Sequence, residues 1–270
     1  MKAQLLLAGM VLGMAGLAVC FGQQQAAAVE EITMNVWKDY PVGYIVFEDQ
    51  APESKGSEIY HHIVTHPEDY IAAQARTVLA TLYASPSDSI VPVDTIHYSL
   101  QDIEGISAKD GGNGVVSIFY STRHIEKSFA ANDTAKLFFE TRGVLLHELT
   151  HAYQLEPQGI GNYGNSRVFW AFIEGMADAV RVANGGFTPD ARPKGGNYMD
   201  GYRTAGYFFV WLRDNKDKEF LRKFNRSTLE VVPWSFDGAI KYVLGEQYNI
   251  DELWHEYQVA VGDIQEKKNN

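Results

Sequence analysis

His147, Glu148 and His151 fall in the stretch Gly143-Val144-Leu145-Leu146-His147-Glu148-Leu149-Thr150-His151, which is apolar and helix-forming. Residues four apart on an α-helix lie about 40° apart around the axis and one turn along it. Two imidazoles at that spacing can be aimed at a single metal ion, and Glu148, at the edge of the same face, can reach a water held there. This is the H-E-x-x-H pattern of zinc hydrolases. A catalytic zinc needs a third protein ligand and an open position for water. The segment Phe172-Ile173-Glu174-Gly175-Met176-Ala177-Asp178 offers two carboxylates, again four apart, in an apolar run. Such a pair on a buried helix face is costly unless a metal or hydrogen-bond partners compensate it. Gly159, Gly161 and Gly164 furnish a loop between the two segments.

These residues must be carried by helices and backed by a core. The spacing predicts a helix around His147, within a region helical from about Asp133 onward, and a second helix over about residues 167–183. Upstream, Ile32, Met34 and Val36 alternate with polar neighbours, as do Ile96, Tyr98 and Leu100, and both read as strands. Residues 44–47 read as another strand, and residues 50–57 as a loop. Thr65 and Glu68 fit a capping box, with Pro67 in the first turn of an amphipathic helix reaching about Tyr83. Asp110-Gly111-Gly112-Asn113-Gly114 is a strong turn signal. The β-branched and aromatic run Val115–Ser121 is a strand expected to be the sheet edge that receives an extended substrate. Strands first and helices afterwards argue an α+β domain.

The 270 residues suffice for one well-cored domain, and 15 Tyr, 14 Phe and 5 Trp give it ample apolar bulk. A formal net charge of −11 disfavours partners bound through a broad basic surface, so neither nucleic acid nor an anionic membrane is expected. Lys2 followed by the apolar run Leu5–Phe21 reads as a signal peptide over residues 1–22, with a linker over 23–31 and the metallopeptidase domain over 32–265. The protein is therefore expected to be exported, either secreted or periplasmic. The only cysteine, Cys20, lies in that leader and resembles part of a lipoprotein box, which leaves lipid anchoring as an alternative. Any metal bound by the mature domain must use His, Asp or Glu.

The H-E-x-x-H and Glu-x-x-x-Asp segments together resemble the gluzincin arrangement. More narrowly, the chain resembles the basic secretory protein family of plant and bacterial peptidases. The resemblance rests on Arg142–His151, Glu174–Asp178, Gly201-Tyr202-Arg203-Thr204-Ala205 and Asp251–Tyr257, and runs from about Ile32 to Gly262. It implies a gluzincin-like zincin fold, with a small N-terminal sheet and one helix before a mostly helical half. It further implies one zinc per chain held by His147, His151 and Glu174, with Glu148 as general base and Asp178 orienting the first zinc histidine. The activity implied is hydrolysis of peptide bonds in peptide or protein substrates outside the cytoplasm. A peptidase restricted to glycosylated proteins and a non-catalytic binding relative stand as alternatives. The acidity of this chain departs from the family's name.

A tetrahedral intermediate needs an oxyanion donor besides zinc. Tyr202 is the candidate, because it follows the Glu174 helix and Gly201 would let its segment approach closely; His124 is next in line. Tyr207 is expected deeper among apolar neighbours. His61, His62 and His66 suggest a second metal site only weakly, and read as the entry to a helix.

Overall fold

The computed structural model describes residues 36–265. The chain divides into two compact units, residues 1–40 and 41–270. Of the first, residues 36–40 are described. Val36 and Trp37 form a helical turn, so the strand expected to end at Val36 does not include it, and the rest of that strand lies outside the described residues. The leader, its Cys20 and most of the linker lie outside them too.

The second unit begins with β1 (Tyr44–Asp49), followed by α1 (Lys55–Ile63), α2 (Pro67–Leu82), β2 (Thr95–Gln101), β3 (Ser107–Gly112) and β4 (Val115–Ser121). Helices α3 (Thr122–Ser128), α4 (Thr134–Tyr153), α5 (Arg167–Ala183), α6 (Tyr202–Asn215), α7 (Phe220–Glu230), α8 (Phe236–Leu244) and α9 (Ile250–Ala260) complete it. The domain is thus α+β, a four-stranded sheet followed by a helical half. Among the described residues, no helix is long and apolar enough to cross a membrane.

Strand order is β1-β2-β4-β3, with β1, β2 and β4 parallel and β3 antiparallel to β4. This corrects the expected edge. Val115–Ser121 is paired along its length on both sides, to Thr95–Gln101 and to Ser107–Gly112, and has no free backbone groups for a substrate. The edge on that side is β3, which sequence reading missed. Ser-Ala-Lys-Asp-Gly-Gly has neither apolar alternation nor β-branched residues, and all six positions are at least partly exposed. The turn is confined to Asn113 and Gly114, both at positive φ.

Helix α1 also begins inside the expected loop, capped by the Ser54 side chain accepting from the Ser57 N–H. The Thr65–Glu68 capping box does not form. The first residue of α2 is Pro67, so the cap position is His66, which makes no side-chain cap bond. Thr65 stands one residue too early for its hydroxyl to reach the first turn.

Two helices position the chemistry. In α4, the Asp133 side chain accepts from the Lys136 N–H and starts the helix. Leu137, Leu145, Leu146 and Leu149 are buried on its core side. In α5, Ser166 caps the start, and Phe172, Met176, Ala177 and Val180 are fully buried. Helix α6 packs closely on α5, because a Cβ at Gly175 would stand 2.7 Å from that of Ala205, and one at Gly206 2.9 Å from the Ala179 nitrogen. An aromatic core of Phe172, Phe208, Phe209, Phe224 and Trp234 fixes this helical half from behind.

Candidate active site

Helices α4 and α5 line one cavity of about 780 Å³, closed on another side by Ile106–Lys109 at the start of β3. The cavity-facing residues of α4 are Val144, His147, Glu148 and His151, the spacing of one helix face. From α5 come Ile173, Glu174, Asp178 and Arg181.

Three donor atoms converge there. His147 Nε2 and His151 Nε2 are 3.1 Å apart, and Glu174 Oε2 lies 3.3 Å from the first and 3.7 Å from the second. Ligands on a tetrahedral ion with bonds of roughly 2.0–2.1 Å stand about 3.3 Å from each other. The triangle therefore fits a small first-row cation, and the N,N,O donor set suits zinc among such ions. Glu174 Oε2 is also buried without a hydrogen-bond partner, an expensive condition that a cation would relieve. Among the described residues, this is the one group of at least three His, Cys, Asp or Glu side chains that could hold a metal. His61, read as part of a helix entry, lies in the last turn of α1 and pairs with Asp49 at 3.0 Å.

Each donor is held from behind. His147 Nδ1 lies 2.7 Å from Asp178 Oδ1, the arrangement that fixes a ligating imidazole's tautomer and orientation. His151 Nδ1 lies 2.8 Å from the Gln154 amide nitrogen, while Gln154 Oε1 is buried with no partner among the described residues. Turned end for end, the amide presents its oxygen to that ring nitrogen. Oε1 then accepts the Nδ1–H and leaves the Nε2 lone pair free for metal. Glu174 Oε1 accepts from the Tyr163 hydroxyl at 2.6 Å.

With protein groups alone, the carboxylates already favour a positive charge at this point. Burial opposes a charge on His147, but the Asp178 and Glu174 carboxylates beside it outweigh burial and hold its pKa up at about 10. Burial, reinforced by the charge on His147, pushes His151 down to about 3. The two imidazoles are thus driven in opposite directions, His147 by its carboxylate neighbours and His151 by burial. Glu148 is raised by burial, against the pull of His147 and hydrogen bonds from the Ser107 side chain and the Lys109 backbone.

This chain belongs to the peptidases of plants and bacteria. The profile of that family, the basic secretory proteins, matches residues 44–257. No curated protein and no solved structure matches the chain significantly. The family match covers the sheet and both helices that carry His147, His151 and Glu174.

Tyr202, expected on an element returning to the cleft after the Glu174 helix, lines the cavity with its ring stacked on His147 at 6.1 Å between centroids. Gly201 has a positive φ of 64°, and a Cβ there would stand 2.8 Å from the Trp170 ring and 3.3 Å from Glu174 Cβ. The close approach expected of it is therefore real. Tyr207 is turned away, its hydroxyl donating to the Thr188 carbonyl. His124 is not a cavity residue; its ring is bound to Glu140 at 3.0 Å. Tyr163 and Gln154 are the site residues that sequence reasoning missed. The available signals were a tyrosine set among the loop glycines between His151 and Glu174, and an amide three residues after the second histidine.

Proposed function

We propose that this member of the family is an exported zinc metallopeptidase of gluzincin-like architecture. The observation that carries the proposal is the convergence of His147 Nε2, His151 Nε2 and Glu174 Oε2 on one point of a cavity that also holds Glu148. Bound zinc supplies an acidified water and polarises the scissile carbonyl. Glu148, buried but with its carboxylate supported by Ser107 and Lys109, takes the proton from the attacking water and returns it to the leaving amine. Asp178 holds His147 in the tautomer that leaves its Nε2 lone pair free.

The edge strand β3 suits an extended peptide, since its outer backbone groups can continue the antiparallel sheet across the cavity mouth. Two phenols stand on the opposite side. Tyr163 and Tyr202 both have pKa values raised first by burial and further by the Glu174 charge, so both are neutral phenols. Tyr202 ranks ahead as the oxyanion donor, because the single hydroxyl proton of Tyr163 is already given to Glu174. Export rests on the leader at residues 1–22.

Elemental analysis of the mature protein should find about one zinc per chain. Glu148→Gln should keep that zinc while losing roughly 10²–10⁴-fold in turnover on peptide substrates. Absence of stoichiometric metal, with no change in melting temperature on adding zinc, would sink the proposal. Full activity of the variant would remove Glu148 from the mechanism.

A further inference from the structure

The cavity continues past the metal-binding group to a second polar feature, which the chemistry above does not use. Arg181, about two turns beyond Glu174 on α5, is 7% exposed and lines the cavity. Its guanidinium occupies a slot kept clear of side chains. A Cβ at Gly143 of α4 would stand 2.5 Å from Nε and 2.8 Å from Cζ, and one at Gly186 would stand 2.5 Å from Arg181 Cγ. Phe187 covers a face of the guanidinium, its ring centroid 3.9 Å from Cζ. Nε donates to the Gly186 carbonyl at 2.9 Å, and Nη2 to Glu140 at 2.8 Å.

Burying a guanidinium is costly, and an apolar side chain could brace α4 against α5 for less. The slot therefore calls for a use of the charge. Nη1 has no hydrogen-bond partner among the described residues, and the cavity is the space into which one could fit. Ile106, Val144 and Phe187 are apolar members of the same cavity lining, with Val144 next to Gly143 and Phe187 on the guanidinium. Val144 precedes His147 by about one helical turn, roughly 5 Å, which is one or two residues of an extended peptide.

We propose that Arg181 is a specificity-determining residue: it receives, at one position close to the scissile bond, a side chain ending in a carboxylate or carboxamide, and disfavours Lys and Arg there. The aliphatic stem of such a side chain packs on Ile106 and Val144, and its terminal oxygen accepts from Nη1. A cationic side chain would instead meet a fixed guanidinium in a partly desolvated space. The chain's overall negative charge would favour basic peptides, so an acidic preference at one position must come from a local group. This inference rests on the peptidase reading for its substrate class.

The zinc-loaded full mature protein is assayed on peptides that differ at single positions around the cleaved bond. At one position, Glu, Gln, Asp or Asn should be favoured over Lys by at least about tenfold in kcat/KM. Because Arg181→Met alone would leave Glu140 with only His124 beside it, the variant Glu140→Gln/Arg181→Met is made as well. In both, the ratio between acidic and basic peptides should fall towards one, whatever the absolute rates. Gly143→Ala, which displaces the guanidinium while keeping its charge, should lower the ratio partway. A ratio unchanged in all three variants, or absent in the wild type, overturns the proposal. Binding of acidic and basic peptides to Glu148→Gln, read by fluorescence titration, separates the two hypotheses. If nothing is cleaved but acidic peptides bind at least about tenfold tighter and lose that margin with Arg181→Met added, the peptidase reading fails and the subsite stands. If binding shows no such margin either, both fail.

Discussion

The two sides of the cavity are built differently. One side belongs to helices α4 and α5, where His147, Glu174, Asp178 and Arg181 are nearly or fully enclosed and held by hydrogen bonds from neighbouring elements. The other belongs to the glycine-containing loop before α5 and the first turn of α6. Tyr163 is 50% exposed there and Tyr202 45% exposed, at a positive φ of 40°. The helical side holds its donor atoms by bonds from behind, the support that metal binding demands. The loop side holds two half-exposed phenols, Tyr163 bound to Glu174 and Tyr202 stacked on His147. On the roles proposed above, ligands are enclosed while the transition-state donors stand at the open rim.

Breaking the helical side should have the largest effect. Glu174→Ala removes a donor and leaves the two histidines with an open face. Metal content and turnover should disappear together, a greater loss than the ~10–100-fold typical of a changed supporting carboxylate. Retention of stoichiometric metal by this variant, measured by elemental analysis after dialysis, would mean that Glu174 is not a ligand.

The loop side is tested by removing one oxygen at a time. Tyr202→Phe should lower kcat by roughly 10²–10³-fold with little change in KM. Tyr163→Phe should cost about tenfold, since the Tyr163 hydroxyl holds the Glu174 carboxylate. The reverse order in steady-state kinetics would assign the oxyanion to Tyr163. Equal losses of metal in both variants would turn the loop side into a second metal-holding wall and end the comparison.

Asp178→Asn sharpens the same contrast from behind the site. An amide can still meet His147 Nδ1 but does not stabilise it as a carboxylate does, so metal affinity should fall by ~10–100-fold. Competition with a chelator of known affinity would measure it. An unchanged affinity would show that helix packing alone orients the imidazole.

The smallest effect lies outside the cavity, where Arg192 clamps Asp263 through two hydrogen bonds. Those bonds hold the Asp263 carboxyl down at about 2, from an ordinary 3.8. A carboxyl depressed in the folded state contributes stability that is complete above its unfolded pKa and is lost as pH falls through the folded one. Asp263→Asn should therefore melt about 2–4 °C lower at neutral pH, a loss of roughly 1 kcal/mol for a partly exposed pair. The gap should close as pH drops from 5 towards 2. A gap independent of pH would show that the clamp acts through packing.

The parts of this protein legible in sequence are those governed by local geometry. His147 and His151 share a helix face because four residues nearly complete a turn, and the Glu174–Asp178 pair follows the same rule. The bounds of α5 and the strand at Ile96, Tyr98 and Leu100 came from periodicity alone. Tertiary structure decided what depends on which elements meet. It made β3 the edge instead of Val115–Ser121, because strand order is set by long-range pairing that a polar, glycine-rich strand does not advertise. It bound His124 to Glu140, outside the cavity. It brought Tyr163 to Glu174 across a loop closure, and set Arg181 of α5 against the bare backbone at Gly143 of α4. The spacing along one chain says which side chains share a face; only the packing of one element on another says what that face meets.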